Sequence, residues 1–189
     1  MDDFVLPTEG YLSTNEYDGN WISTLHVKNF HFLDPQPDEI DIRDIAHALS
    51  LTCRFGGHCM RFYSVAEHSI RVSQMVEYPS RLSALLHDAS EAYIPDIPRP
   101  IKKHCENFVG IYKKIDSVLL YKFGATCADW GAIKKADNRM LITEAKALGV
   151  YNSEWADLGE PYDIPISGFG WSPRKAEQSF TSMFRRLER

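Results

Sequence analysis

Paired cysteines are missing from this sequence. Its four cysteines, Cys53, Cys59, Cys105 and Cys127, never stand in a CxxC spacing. That excludes a zinc ribbon and reads as the reduced thiols of an intracellular protein. Long apolar runs are missing as well: none approaches the ~18 residues that span a bilayer, so no membrane partner is expected. The first residues, Met1-Asp-Asp-Phe4, lack the basic segment and apolar stretch of a secretory signal. Basic residues are outnumbered, 21 against 26 acidic ones, for a formal net charge of −5, and they form no long run. Duplex nucleic-acid binders carry a basic face, so nucleic acid is not an expected partner. A small anion is compatible with this balance, because a pocket needs only a few well-placed cations. No internal repeat or low-complexity segment occurs. What is present is an ordinary globular composition over 189 residues, 44% of them hydrophobic, enough for one domain with a sizeable core.

The pattern along the chain predicts an all-α bundle behind an irregular N-terminal arm. Residues 1–40 form the arm, and 41–189 form the body of the same domain. Within the arm Leu25, Val27, Phe30 and Phe32 partly alternate, as in a short hairpin or extended segment. Asp34-Pro-Gln-Pro37 ends it. From Asp41 the spacing of Ile42, Ile45, Ala46 and Leu49 is helical, and Arg54-Phe-Gly-Gly-His58 makes a loop. Ser64-Val-Ala-Glu67 has the form of a capping box, opening a helix to about Glu77. A further helix is expected from Ser80 to about Tyr93, ended by Pro95, Pro98 and Pro100. Two longer helices follow near 105–123 and 129–148, the second stopped by Gly149. A loop covers 150–171, and Ser172-Pro173 opens a last helix.

The chemistry lies in polar residues on apolar stripes. His68 stands three residues after Val65 and four before Val72, on the stripe completed by Met75 and Val76. His87-Asp88 continues the apolar run Ala84-Leu85-Leu86. Asp137 lies within the stripe of Ile133, Ala136, Met140, Leu141 and Leu148. One histidine on an apolar face is ordinarily a satisfied core residue, and one aspartate is ordinarily a cap or ion-pair partner. Four such groups aimed at one core differ, because each buried, unpaired imidazole or carboxylate costs several kcal/mol. A divalent cation compensates all of them, with imidazole nitrogen and carboxylate oxygen as its ligands.

These residues resemble the signature of the HD-domain metal-dependent phosphohydrolase superfamily: a helical histidine (His68), a later His-Asp pair (His87-Asp88) and a distant aspartate (Asp137). Ser64-Val-Ala-Glu-His-Ser69, His87-Asp-Ala-Ser-Glu91, Asp96-Ile-Pro-Arg-Pro-Ile-Lys102 and Lys134-Lys-Ala-Asp137 resemble bacterial 5′-deoxynucleotidases of that superfamily. Arg54-Phe-Gly-Gly-His58 and Gly170-Trp-Ser-Pro173 look more like phage dATP triphosphohydrolases. The resemblance covers roughly residues 40–187 and implies an HD-domain helical bundle. It also implies a nucleotide substrate, a cytoplasmic location (that of the host, if phage-encoded) and a homo-oligomer.

The resemblance implies one catalytic divalent cation, Zn²⁺, Co²⁺ or Mn²⁺, with Mg²⁺ a further candidate at the substrate phosphates. Such a cation lowers the pKa of its water and neutralises charge on the phosphoryl oxygens. Glu91 and Asp96 match residues that orient water and manage protons. Arg54 matches a phosphate-contacting arginine and Lys102 a basic position; His58 and Arg61, with Arg99 and Lys103, are further phosphate candidates. Each also has a plainer reading as a turn, helix-end or surface residue. Trp21, Ile22, Phe55, Tyr63 and Trp171 are candidate walls for base and sugar, although each is more often core.

Relatives that hydrolyse stringent-response nucleotides carry Glu-Asp where this chain has Glu91-Ala92, and two-metal phosphodiesterases need histidines where only His104 stands. The expectation is therefore a (deoxy)nucleotide phosphohydrolase, with dATP-type triphosphates favoured. A 5′-deoxynucleoside monophosphatase is the alternative, and a non-catalytic nucleotide sensor is the rival from another class.

Overall fold

A computed structural model describes residues 19–26, 29–125 and 129–188. Its α-helices are α1 (Ile42–Leu51), α2 (Val65–Gln74), α3 (Arg81–Leu85), α4 (Arg99–Lys102), α5 (Glu106–Lys122), α6 (Trp130–Leu148) and α7 (Pro173–Leu187). The fold is all-α; among the described residues no strand forms, only two isolated bridges. Four helices start at an oxygen that accepts an otherwise orphaned N–H. Asp41 takes that of Arg43, Ser64 that of Glu67, Asp129 that of Ala132, and Ser172 that of Lys175. None of the helices is long and apolar enough to cross a membrane.

The main core joins Ile45, Ala46 and Leu49 of α1 to Ile70 of α2, Ile115 and Leu119 of α5, and Phe180 and Phe184 of α7. A second cluster joins Val72 and Val76 to Ala84 and to Ile133, Ala136 and Met140 of α6. That cluster presses α2, α3 and α6 together, and the polar residues of their stripes come with them.

Several expectations are corrected. The hairpin shrinks to one bridge, with Ile22 and Phe30 exchanging N–H···O bonds of 2.9 Å; Val27 and the first 18 residues of the arm lie outside the described residues. The arm is held by side chains: Asp44 of α1 accepts from the Thr24 hydroxyl and the His26 N–H, and Phe30 stacks on Tyr93 at 4.0 Å. α2 ends at Gln74, which leaves Met75 exposed rather than on the stripe. The capping box is half made, since Glu67 does not reach back to the cap. Its buried carboxylate instead accepts from Arg71 and from the backbone N–H of Trp171 at 2.7 Å.

The helix expected over 80–93 is broken after Leu85 and resumes as a 3-10 turn at Ala89–Ala92. The His87 ring explains the break. Its Nδ1 lies 2.8 Å from the Ala84 carbonyl, the acceptor that a continuing helix would offer to the N–H of Asp88.

Gly149 closes α6 in the left-handed conformation, φ +76°. A Cβ there would meet the side chain of Met60. Gly149→Ala is expected to cost about 1–2 kcal/mol, read as a melting temperature lower by a few degrees. An unchanged melting curve would mean that this helix end is not pinned.

Candidate metal centre

Three elements deliver the site. α2 brings His68, the break after α3 brings His87 and Asp88, and α6 brings Asp137. His68, His87 and Asp137 each offer a ligand atom, all within 4.8 Å of one another, and this buried trio could hold a metal ion. His68 Nε2 lies 3.3 Å from Asp137 Oδ1 and 3.6 Å from Asp88 Oδ2; His87 Nε2 lies 3.3 Å from the same Asp88 oxygen.

The other nitrogen of each ring is committed. His68 Nδ1 is 2.7 Å from Glu144 Oε1, and His87 Nδ1 is 2.8 Å from the Ala84 carbonyl. Since these partners only accept, Nδ1 carries the proton in each neutral ring, and the Nε2 lone pairs face inward. Both Nε2 atoms are buried and make no hydrogen bond. Burial and the Arg54 charge oppose protonation of His68, yet Glu144 and Asp137 hold its pKa at about 9. Burial likewise opposes the charge on Asp137, and the two histidines and Lys134 hold its carboxyl well below the usual range. The centre therefore draws positive charge to itself.

Beside the trio opens a cavity of about 850 Å³. His87, Asp88, Glu91, Asp96 and Asp137 are among the residues that line it. Burial, then the charges of Asp88 and Asp96, push the Glu91 carboxyl well above its usual range, and its Oε2 is buried without a partner. Glu91 thus favours its protonated form more than an ordinary carboxyl does, next to Asp88.

Cations ring the cavity. Arg54 is buried and kept charged, against burial, by Glu144 at 3.2 Å and Asp88 at 3.6 Å. Arg99 and Lys134 bond to the outer oxygen of Asp137 at 2.8 and 2.7 Å. Lys102 lies 4.1 Å from the Tyr112 ring centre. Phe55, Tyr112, Trp130 and Trp155 add aromatic wall. Phe55 sits in the left-handed region at φ 57°, followed by Gly56 and Gly57 at 58° and 81°. Such a conformation strains a residue with a Cβ, and here it sets a ring at the lip of the cavity.

Other expected site residues lie elsewhere. His58, Arg61 and Lys103 are exposed and do not line the cavity. Arg61 packs its stem toward Gly170. Of the five proposed wall residues only Phe55 lines the cavity. Tyr63 is wholly buried against Phe169, Trp171 and Ile22 pack on the main core, and Trp21 is half-buried away from the cavity. Lys113, like Trp130 and Trp155, went unread in the sequence, since one such residue on a helix or loop has no pattern of its own; Lys134 was read only as part of the motif before Asp137, with no role at the cavity. Glu144 went unread as well, although it stands seven residues after Asp137 and four before Leu148, on the stripe that singled out Asp137.

No family model matches the chain. It is 41% identical over 170 residues to the uncharacterized protein YfdR of Escherichia coli (strain K12), covering 89% of this chain and 96% of YfdR. The chain belongs to the YfdR family. An uncharacterized protein of Rhodobacter capsulatus is 30% identical over 164 residues, covering 78% of this chain and 84% of that protein. Membership of the YfdR family accounts for nearly the whole chain, so the site lies in the region shared with YfdR.

Proposed function

We propose that this chain is a metal-dependent phosphohydrolase of the HD type acting on (deoxy)nucleotides. The observation that carries the reading is the pair of buried, unpartnered Nε2 atoms of His68 and His87 facing Asp88 and Asp137. Ligands about 2.1 Å from one ion at tetrahedral angles lie roughly 3.4 Å apart. The 3.3 Å between His68 and Asp137 matches that spacing, and His68, His87 and Asp137 form the group that could hold one ion; Asp88, expected as a fourth ligand, falls outside that group and borders it through the two Nε2 atoms at 3.6 and 3.3 Å. When bound, a Zn²⁺, Co²⁺ or Mn²⁺ ion would supply Lewis acidity and activated water. The chain's own residues do the rest. Arg54 and Lys102 hold phosphate at the cavity edge. Glu91, whose carboxyl is pushed toward its protonated form, and Asp96 pass a proton to the departing oxygen. Phe55, Tyr112, Trp130 and Trp155 offer faces for a base.

The ring of cations favours di- and triphosphates, with dATP-type substrates first by resemblance. A second reading, a 5′-monophosphatase, draws on the engagement of Arg99 and Lys134 by Asp137, which leaves fewer cations for a polyphosphate chain. The test is release of phosphate and triphosphate from a panel of dNMPs and dNTPs with Mn²⁺, Co²⁺ and Zn²⁺. Turnover is expected for at least one nucleotide, and its loss on combining His87→Ala with Asp88→Ala. Binding without turnover under every metal would make the protein a nucleotide sensor. Turnover that survives the double substitution would move the chemistry elsewhere.

A further inference from the structure

Glu144 is wholly buried on α6, yet it does not face the cavity. Three side chains converge on it. Oε1 takes the Tyr63 hydroxyl at 2.7 Å and lies 2.7 Å from His68 Nδ1; Oε2 lies 3.2 Å from Arg54 Nε. The contact between Oε2 and Arg54 Nε is an ion pair, and neither atom makes a hydrogen bond among the described residues. Each partner presents a donor, and a carboxylate, which only accepts, suits all three. His68 belongs to the metal trio, while Arg54 lines the cavity.

We infer that Glu144 is a positioning residue that couples the metal centre to the phosphate-binding arm. One oxygen fixes the tautomer and ring direction of His68, and the other fixes the aim of Arg54. The first half needs only the metal trio; the second rests on the phosphate role proposed for Arg54. Through Glu144 the two ends of the ligand site share one rigid reference. Arg54 is the last residue before the three left-handed positions 55–57; within its own loop the guanidinium meets the Phe55 ring at 5.6 Å, and its carboxylate partners, Glu144 and Asp88, come from other elements. His68 sits in a helix, but its ring needs a partner at Nδ1 to keep Nε2 bare. Outer-shell carboxylates of this kind typically alter metal affinity 10–100-fold when removed.

The test titrates folded protein with Co²⁺, followed by its visible absorption, and then titrates the metal-loaded protein with inorganic pyrophosphate by calorimetry. Glu144→Gln keeps the volume, and its amide oxygen can still accept from His68 and Tyr63. Its NH₂ then faces Arg54, donor against donor. Co²⁺ affinity is expected within about 3-fold of wild type, with pyrophosphate binding weakened at least about 10-fold. Glu144→Ala loses both, Co²⁺ by about 10–100-fold. Tyr63→Phe removes one donor to Oε1 and is expected to change neither affinity more than about 3-fold.

If both Glu144 variants lower the melting temperature but keep wild-type affinities for Co²⁺ and pyrophosphate, the residue is merely structural and the inference fails. If Glu144→Ala does not fold, Glu144→Gln alone decides, because equal affinities for both probes overturn the coupling. Wild-type protein that binds Co²⁺ but not pyrophosphate would refute the Arg54 half and the hydrolase reading together, leaving the His68 half to stand or fall on the Co²⁺ data. Wild-type protein that binds no Co²⁺ would refute the whole.

Discussion

Asp137→Ala is expected to abolish measurable binding of divalent cations while leaving the fold standing. The loss should exceed the about 10–100-fold typical of an outer-shell partner, because a charged ligand leaves the centre itself. Oδ1 of Asp137 faces His68, and Oδ2 holds Arg99 and Lys134. The two freed cations are 46% and 59% exposed, so water takes over their solvation and little stability is lost with them. Thermal unfolding with and without Co²⁺ separates the outcomes. An ion present at 100 times its dissociation constant stabilises the native state by about 2.7 kcal/mol. The wild-type protein is expected to show that rise in melting temperature, and the variant none. A variant whose melting temperature still climbs with Co²⁺ would show that the ion sits elsewhere.

Arg71→Ala is expected to destabilise the protein by about 3–5 kcal/mol, the usual cost of orphaning a buried charge. Arg71 donates to Glu67 through Nε at 3.1 Å and a terminal nitrogen at 2.7 Å. It also donates to the Gly168 carbonyl and lies over the rings of Phe169, at 4.2 Å, and Trp171, at 5.3 Å. It thereby pins the 150–171 loop to α2. Without it the buried Glu67 carboxylate keeps backbone N–H groups, those of Trp171 and Gly170, and loses its charged partner. Arg71→Lys restores a charge but not the two-pronged bond, and should recover only part of the loss.

Acidity sharpens this second test. Burial already pushes the Glu67 carboxyl above its usual value, with Trp171 and Arg71 opposing. Removing Arg71 raises it further, so the folded variant binds this proton more tightly than the unfolded chain does. Its stability then falls as pH rises through the raised folded value. The gap between variant and wild type is expected to be smaller at pH 5 than at pH 8 in denaturant melts. An equal gap at both would mean that Glu67 does not carry the loss.

Helix starts were legible where a capping oxygen precedes an apolar stripe, as at Asp41, Ser64, Asp129 and Ser172. The candidate metal trio was legible for a related reason: His68 and Asp137 interrupt stripes that would otherwise be wholly apolar, whereas Asp88, read as a fourth ligand, falls outside the group. The break after Leu85 was hidden, because Ala84-Leu85-Leu86 reads as continuing helix and only the His87 ring removes the carbonyl that would extend it. The cavity wall was hidden too. Tyr112 comes from α5, Trp130 from the first turn of α6 and Trp155 from the loop beyond it. Such groups meet through tertiary packing, which spacing along one element does not report. Glu144 falls between these cases: its face could be inferred from its distance to Asp137, whereas its three partners could not.

The backward-wound turn at Phe55 sets two demands on this chain against each other. Glycine would rest there without effort, so selection for heat resistance alone would drift toward losing the ring. An aromatic residue kept at that spot across a lineage would mean that grip on the guest has outweighed comfort of the host.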